Sequence, residues 1–233
     1  MTKEGELLFK HIEPAINLIN RGENQLLEAI ALGESQLRLG ASDTICRYYL
    51  VPFLDEFHKK YPHVHIKVTN GTSLQCAKML ENNEVDIIIT NSPNSALVNS
   101  MHIEPIYEFQ DVFIGNPEFF KIGNEPLTFD ELQKYPILML TKQSTTSEFL
   151  HNLFIQHSLD LVPAVELSSN DLLIDLAKIG LGLAFIPDFC LKKEDTKLVK
   201  VPITEELPTR KLVVAYNENI PLSSVTQYFI DLL

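Results

Sequence analysis

Apolar positions recur along this chain in two rhythms, and each predicts a different kind of element. Over the first thirty residues Leu8, Ile12, Ile16, Ile19, Leu26 and Ile30 fall at helical spacings while Glu, Asn, Gln and Lys fill much of the remainder, which predicts a long amphipathic helix. Pro14 removes a backbone donor and Gly22 weakens the helix further, so an interruption is expected there. An apolar stripe at a chain end wants a partner. Helix-to-helix dimerisation through those six positions is expected ahead of packing against its own domain. Beyond this helix, strand-like runs at 36–40, 64–69, 85–90, 112–114, 137–140, 164–167, 183–186 and 211–216 alternate with helical patterns near 46–60, 73–82, 145–157, 170–179 and 223–232. Such alternation predicts parallel sheets covered by helices, an α/β fold.

Residues 101–110 carry no strand prediction and read as a segment crossing between two lobes near Phe109, with a return crossing near 202–208. The expected organisation is a linker or dimerisation helix over 1–34, a first lobe over 35–109 completed by 209–233, and a second lobe over 110–208. Two α/β lobes with two crossovers leave a cleft, as in periplasmic binding proteins of the second type.

Candidate chemistry gathers at the strand-to-helix turns, because hydroxyls and helix N-terminal amides there face the carboxyl ends of the strands. In the first lobe Ser42, Asp43 and Thr44 follow the strand that ends at Gly40, and Ser42 and Thr44 are the expected ligands. At the second turn Gly71 permits close backbone approach. There Thr72 is the expected ligand and Ser73 the expected cap of the helix through Asn82. Thr90 and Asn91 end the third strand of that lobe. The second lobe offers Thr141, Lys142, Gln143, Ser144, Thr145, Thr146 and Ser147, more hydrogen-bonding side chains in a row than a cap needs, with Lys142 able to supply a positive charge. Ser168, Ser169 and Asn170 form a matching turn. For each of these residues the alternative is capping or plain solvation. Glycine at 180 is expected as a helix C-cap before a buried strand, a mark of the fold and not of the chemistry.

Composition narrows the function classes. A chain of 233 residues, 45% hydrophobic and 21% charged, can bury a sizeable core. Its net charge of −12 opposes phosphate binding, and no basic run appears, so this chain alone is not expected to hold DNA. The absence of a long apolar run and of signal-peptide character at the N-terminus predicts a cytoplasmic location away from membranes. Cys46, Cys76 and Cys190 form no CxxC pair and read as reduced, partly buried thiols. His63 and His65 share a strand face, but no neighbouring ligand completes a metal set. No nucleophile triad order, phosphate loop or nucleotide fingerprint is visible, and Asp43 at a helix N-terminus would be a poor general base. Neither an enzyme nor a cofactor is expected.

Several short motifs occur in a recognisable order: Thr2-Lys3-Glu4-Gly5 before the first helix, LRLGAS at 37–42, Tyr49-Leu50-Val51-Pro52, Tyr61-Pro62, Asn70-Gly71-Thr72, the run 85–89, and Gly180-Leu181-Gly182-Leu183-Ala184-Phe185-Ile186-Pro187. Together they resemble the linker helix and effector-binding domain of LysR-type transcriptional regulators, over nearly the whole chain. The resemblance implies two Rossmann-like lobes preceded by a long helix. It also implies a small polar or anionic effector bound between the lobes, altering their relative orientation, and assembly into dimers or tetramers. DNA contact would come only through a winged helix-turn-helix of a longer regulator, of which this chain is expected to be a fragment beginning at or just before the linker helix. A free-standing solute-binding protein of the same fold is the alternative.

The chain departs from the family pattern in two further places. The 41–52 turn is about one residue longer than usual. Asn91 stands where several members that bind aromatic acids carry an arginine, which disfavours an inducer needing a guanidinium clamp. Some members sense peroxide through a second-lobe cysteine, and the corresponding 141–147 loop has none.

Overall fold

The computed structural model describes residues 1–30, 36–123, 125–191 and 196–233, with the backbone alone for 21, 24, 25 and 27–30. In chain order the elements begin α1 (Lys3–Ile30), β1 (Gln36–Ala41), α2 (Asp43–Ile45), a π-helical turn (Cys46–Leu50), α3 (Val51–Lys60), β2 (His65–Asn70), α4 (Ser73–Glu81), β3 (Ile87–Ser92), β4 (Met101–Phe109) and β5 (Asp111–Gly115). They continue α5 (Phe129–Leu132), β6 (Ile137–Leu140), α6 (Thr145–Gln156), β7 (Val165–Leu167), α7 (Asn170–Lys178), β8 (Leu183–Pro187), β9 (Val199–Lys200), β10 (Arg210–Asn217) and α8 (Ser224–Leu232). Residues 1–90, 94–106 and 213–233 make one compact unit, and residues 91–93 and 107–212 make another.

The long N-terminal helix forms, but without the expected interruption: α1 runs through both Pro14 and Gly22. A proline removes one donor from the ladder, and the other turns of a 28-residue helix carry the segment across it. Asn17 ties the helix to its unit by donating from Nδ2 to the Asn82 carbonyl at 3.1 Å. Its apolar stripe stays uncovered by the chain itself. Leu8, Ile12, Ile16, Ile19 and Leu26 are each between 47% and 62% exposed, and the Ile30 side chain lies outside the described residues.

One sheet has the order β2-β1-β3-β10-β4, and the other β7-β6-β8-β5-β9. In the first, β1 lies parallel to both β2 and β3, pairing Leu39 with Val68 and Ile87. Its alternating Leu37 and Leu39 are wholly buried, as are Phe57 and Phe229, whose rings meet edge to face at 5.4 Å. In the second, β6 is parallel to β7 and β8, and the core joins Phe113, Phe154, Phe185 and Phe129, which stacks on Phe154 at 4.7 Å.

Three further expectations need correction. The second sheet is mixed, because β5 runs antiparallel to β8, pairing Phe113 with Phe185, and to β9. Strand-helix alternation dictates parallel pairing only where a single helix joins neighbouring strands, and several elements separate β5 from β8. The 101–109 segment is a nine-residue strand. As an edge strand it is largely exposed and tolerates Pro105, which hid it from the hydrophobic pattern. The first helical region also begins earlier than expected, at Asp43, and widens into the π turn at Cys46–Leu50. A π turn accommodates an extra residue within a helix, matching the one-residue excess of this segment.

Candidate functional site

Parallel pairing brings the ends of β1, β2 and β3 to one edge of their sheet. Ala41 lies in register with both Asn70 and Ile89, so the residues that follow each strand emerge side by side. Ser42 caps α2, its Oγ accepting from the Ile45 N–H at 3.3 Å, while Asp43 is exposed and Thr44 half-buried. At the next turn Thr72, not Ser73, is the cap. Thr72 Oγ1 accepts from the Gln75 N–H at 3.2 Å and Gln75 Oε1 accepts from the Thr72 N–H at 2.8 Å, a reciprocal capping box. Ser73 is the first helical residue and buried, and Asn82 sits at the opposite end of α4.

Asn94 organises this edge, a role the sequence did not disclose. Its buried amide donates to the Ser73 carbonyl at 2.9 Å and to Thr90 Oγ1 at 3.1 Å, fixing the fully buried Thr90 against the start of α4. Arg38 and Asp86 brace the other end of β1 through a two-pronged contact of 2.6 and 3.2 Å.

In the second unit the turns after β6 and β7 are likewise neighbours. Leu140 pairs with Leu167, and the Thr141 N–H donates to the Leu167 carbonyl at 3.0 Å. Ser144 caps α6, accepting from the Thr146 N–H at 3.2 Å, and Ser169 caps α7, accepting from the Leu172 N–H at 3.4 Å. Gln143 and Ser168 are exposed, Thr141 is half-buried and Asn170 is buried. Lys142 is exposed and lines an open cavity of about 820 Å³ with Glu148, His151, Asp160 and Glu166, so three carboxylates share its surroundings.

The largest buried side chain is one that sequence reasoning passed over. Arg210 is 1% exposed; its Nη1 donates to Asp111 Oδ2 at 2.6 Å and to Thr146 Oγ1 at 3.2 Å, and its Nη2 to Thr145 Oγ1 at 3.3 Å. Asn91 joins the same cluster, donating from Nδ2 to Thr145 Oγ1 at 3.4 Å. The rings of Phe149 and Phe109 lie 4.9 and 5.5 Å from the guanidinium carbon. Burial pushes the Asp111 carboxyl above the usual carboxylate range, partly offset by the charge and hydrogen bond of Arg210. Opposite charges directly abutting two apolar strands, Asp111 before Val112 and Arg210 before Lys211-Leu212, were the available signal.

Burial raises the Cys46 thiol to about 11 and Cys76 to about 12, and pushes Cys190 well up. Among the described residues no cluster of His, Cys, Asp or Glu forms a metal site, and no helix is long and apolar enough to cross a membrane. The arrangement can donate and accept hydrogen bonds to a small polar molecule.

Comparison with known proteins gives a family and a fold. The family described as the LysR substrate binding domain matches residues 31–233. The HTH-type transcriptional activator CmpR of Synechocystis is 27% identical over all of this chain and 76% of its own length. The HTH-type transcriptional regulator CysB of Burkholderia cenocepacia is 20% identical over all of this chain and 74% of its own. Among solved structures, the regulatory domain of Synechocystis CcmR in complex with 2-PG superposes with a TM-score of 0.77 at 26% identity, covering 84% of this chain and 94% of that one.

Proposed function

Because the chain belongs to the LysR substrate binding domain family, we propose that it is the effector-sensing part of a LysR-type regulator, taking a small polar or anionic molecule on the hydroxyl-bearing turns at its strand ends. The matched relatives are transcriptional regulators, and the chain serves regulation, not catalysis. The observation that carries the reading is the repeated placement of a hydroxyl cap at a helix start beyond a parallel strand: Ser42, Thr72, Ser144 and Ser169. Helix N-termini at strand ends favour anionic and polar ligands through their unpaired N–H groups. The groups open to a ligand are Ser42, Asp43, Thr44 and Thr72 in one unit and Thr141, Gln143, Ser144 and Ser168 in the other, while Ser73, Thr90, Asn91 and Asn170 are buried behind them.

The 2-PG bound by the Synechocystis regulatory domain makes 2-PG the first small molecule to test. Arg210 is committed to Asp111, so a ligand meets hydroxyls and amides and not a free buried cation. Ligand can shift a regulator only by binding one conformation better than another. In a cytoplasmic parent protein, assembly through the exposed face of α1 would carry that shift to paired DNA-binding heads. Calorimetric titration of 2-PG and other small organic acids, amino acids and neutral metabolites tests the binding step. Saturable heat from one class, weakened by Thr141→Ala, supports the reading; heat from none removes it.

A further inference from the structure

Arg210 stands in an electrostatically awkward place. It lies against Thr145 and Thr146, the first two residues of α6, where the helix dipole presents partial positive charge and repels a cation. Asp111 compensates, but a buried ion pair is a poor source of stability, since desolvation of both charges opposes their attraction. The hydrogen bonding is incomplete as well: Arg210 Nε and Asp111 Oδ1 are buried without a partner among the described residues. An apolar pair would fill this space at lower cost. What an apolar pair could not do is hold two consecutive hydroxyls with one planar group.

We propose that Arg210 is a positioning residue, which fixes the first turn of α6 and with it the hydroxyl-bearing 141–147 turn in the geometry that receives the ligand; this rests on the function proposed above. The fork geometry of the guanidinium makes the role possible. One edge reaches Asp111 and Thr146 through Nη1 while Nη2 reaches Thr145, and the flanking Phe149 and Phe109 rings hold the group in place. Thr145 Oγ1 also accepts from Asn91 Nδ2, so N–H donors from Asn91 and Arg210 converge on its oxygen. A hydroxyl polarised in this way is a stronger donor through its own hydrogen. Arg210 therefore anchors the buried Thr145 and Thr146 hydroxyls beneath the 141–144 turn without adding net charge, because its own charge is matched by Asp111.

Amide hydrogen exchange on the purified chain tests this without any ligand. Arg210→Lys keeps a positive charge for Asp111, but a single ammonium does not span both threonines. Thr145→Val/Thr146→Val keeps shape and removes the acceptors, and Thr145→Ser/Thr146→Ser restores them. The expected result is exchange about tenfold faster at the amides of 148–150 in the Lys and Val variants, with 137–140 and 170–178 unchanged and the Ser pair behaving as wild type. Unchanged exchange at 148–150, or acceleration spread evenly over 107–212, would identify an ordinary core ion pair and overturn the proposal. Once a ligand is in hand, Arg210→Lys is expected to weaken its binding about tenfold, and equal affinity would also overturn it. Failure of the ligand titration alone leaves the exchange result standing and removes only the functional reading.

Discussion

Arg210 Nη1 and Asp111 Oδ2 meet at 2.6 Å although 99 residues separate them, and neither side chain is more than 1% exposed. Each begins a strand, β10 and β5, so the pair pins the starts of both.

Breaking that pair leaves a buried charge alone, and Arg210→Met is expected to cost about 3–5 kcal/mol near neutral pH. Burial already raises the folded-state Asp111 carboxyl, and removing Arg210 raises it further. A carboxyl raised in the folded state favours folding when protonated, and that stability is lost as pH rises through the folded value. The deficit of Arg210→Met relative to wild type should therefore shrink on acidification. Urea midpoints measured from about pH 7 to about pH 4 check the sign, and a deficit that grows towards acid would contradict it.

The thiols should be inert in the folded chain. With Cys46 raised to about 11 and Cys76 to about 12, and Cys190 higher than usual through burial, little thiolate exists at pH 8. Iodoacetamide should label all three at least about tenfold more slowly than in guanidinium-unfolded chain. Rapid labelling of one cysteine under native conditions would show that its burial is not maintained.

How much of this could be read from residues alone depends on which force placed them. Leu37 and Leu39 announce themselves because burial alternates along a strand, the 183–186 run because it is buried throughout, the stripe of α1 because its apolar residues keep a helical period although exposed, and the turns after β1, β2, β6 and β7 through their hydroxyls. What stayed hidden was decided by tertiary neighbours. β4 is an exposed edge strand with a proline, β5 is antiparallel through a partner distant in sequence, and α1 tolerates Pro14. The division of labour between Thr72 and Ser73 turned on one residue of helix phase. The roles of Asn94 and Arg210 depend on acceptors that only the fold brings to them.

Gly180 closes α7 with a positive φ of 77°, and its N–H donates to the Ala177 carbonyl while the Leu181 N–H donates to that of Leu176. A Cβ there would also collide with the Phe119 ring. Gly180→Ala is expected to destabilise by at least about 1–2 kcal/mol, read as a lower urea midpoint with unchanged slope.

The uncovered row on α1 predicts self-association. Ile16 and Ile19 are 50% and 62% exposed, and Ile16→Asp or Ile19→Asp should reduce the mass measured by light scattering. An assembly whose mass is the same in both variants would place the interface elsewhere.

The most direct test of ligand sensing is a thermal-shift screen of the chain against small organic acids, amino acids and neutral metabolites, alongside Thr44→Ala and Thr141→Ala, neither of which removes a helix cap. A ligand that binds only the folded chain raises its melting temperature by mass action. The expected result is a clear shift from one chemical class that both variants diminish while their unliganded melting temperatures stay close to wild type. A panel without any shift, or a shift that both variants retain in full, would contradict it.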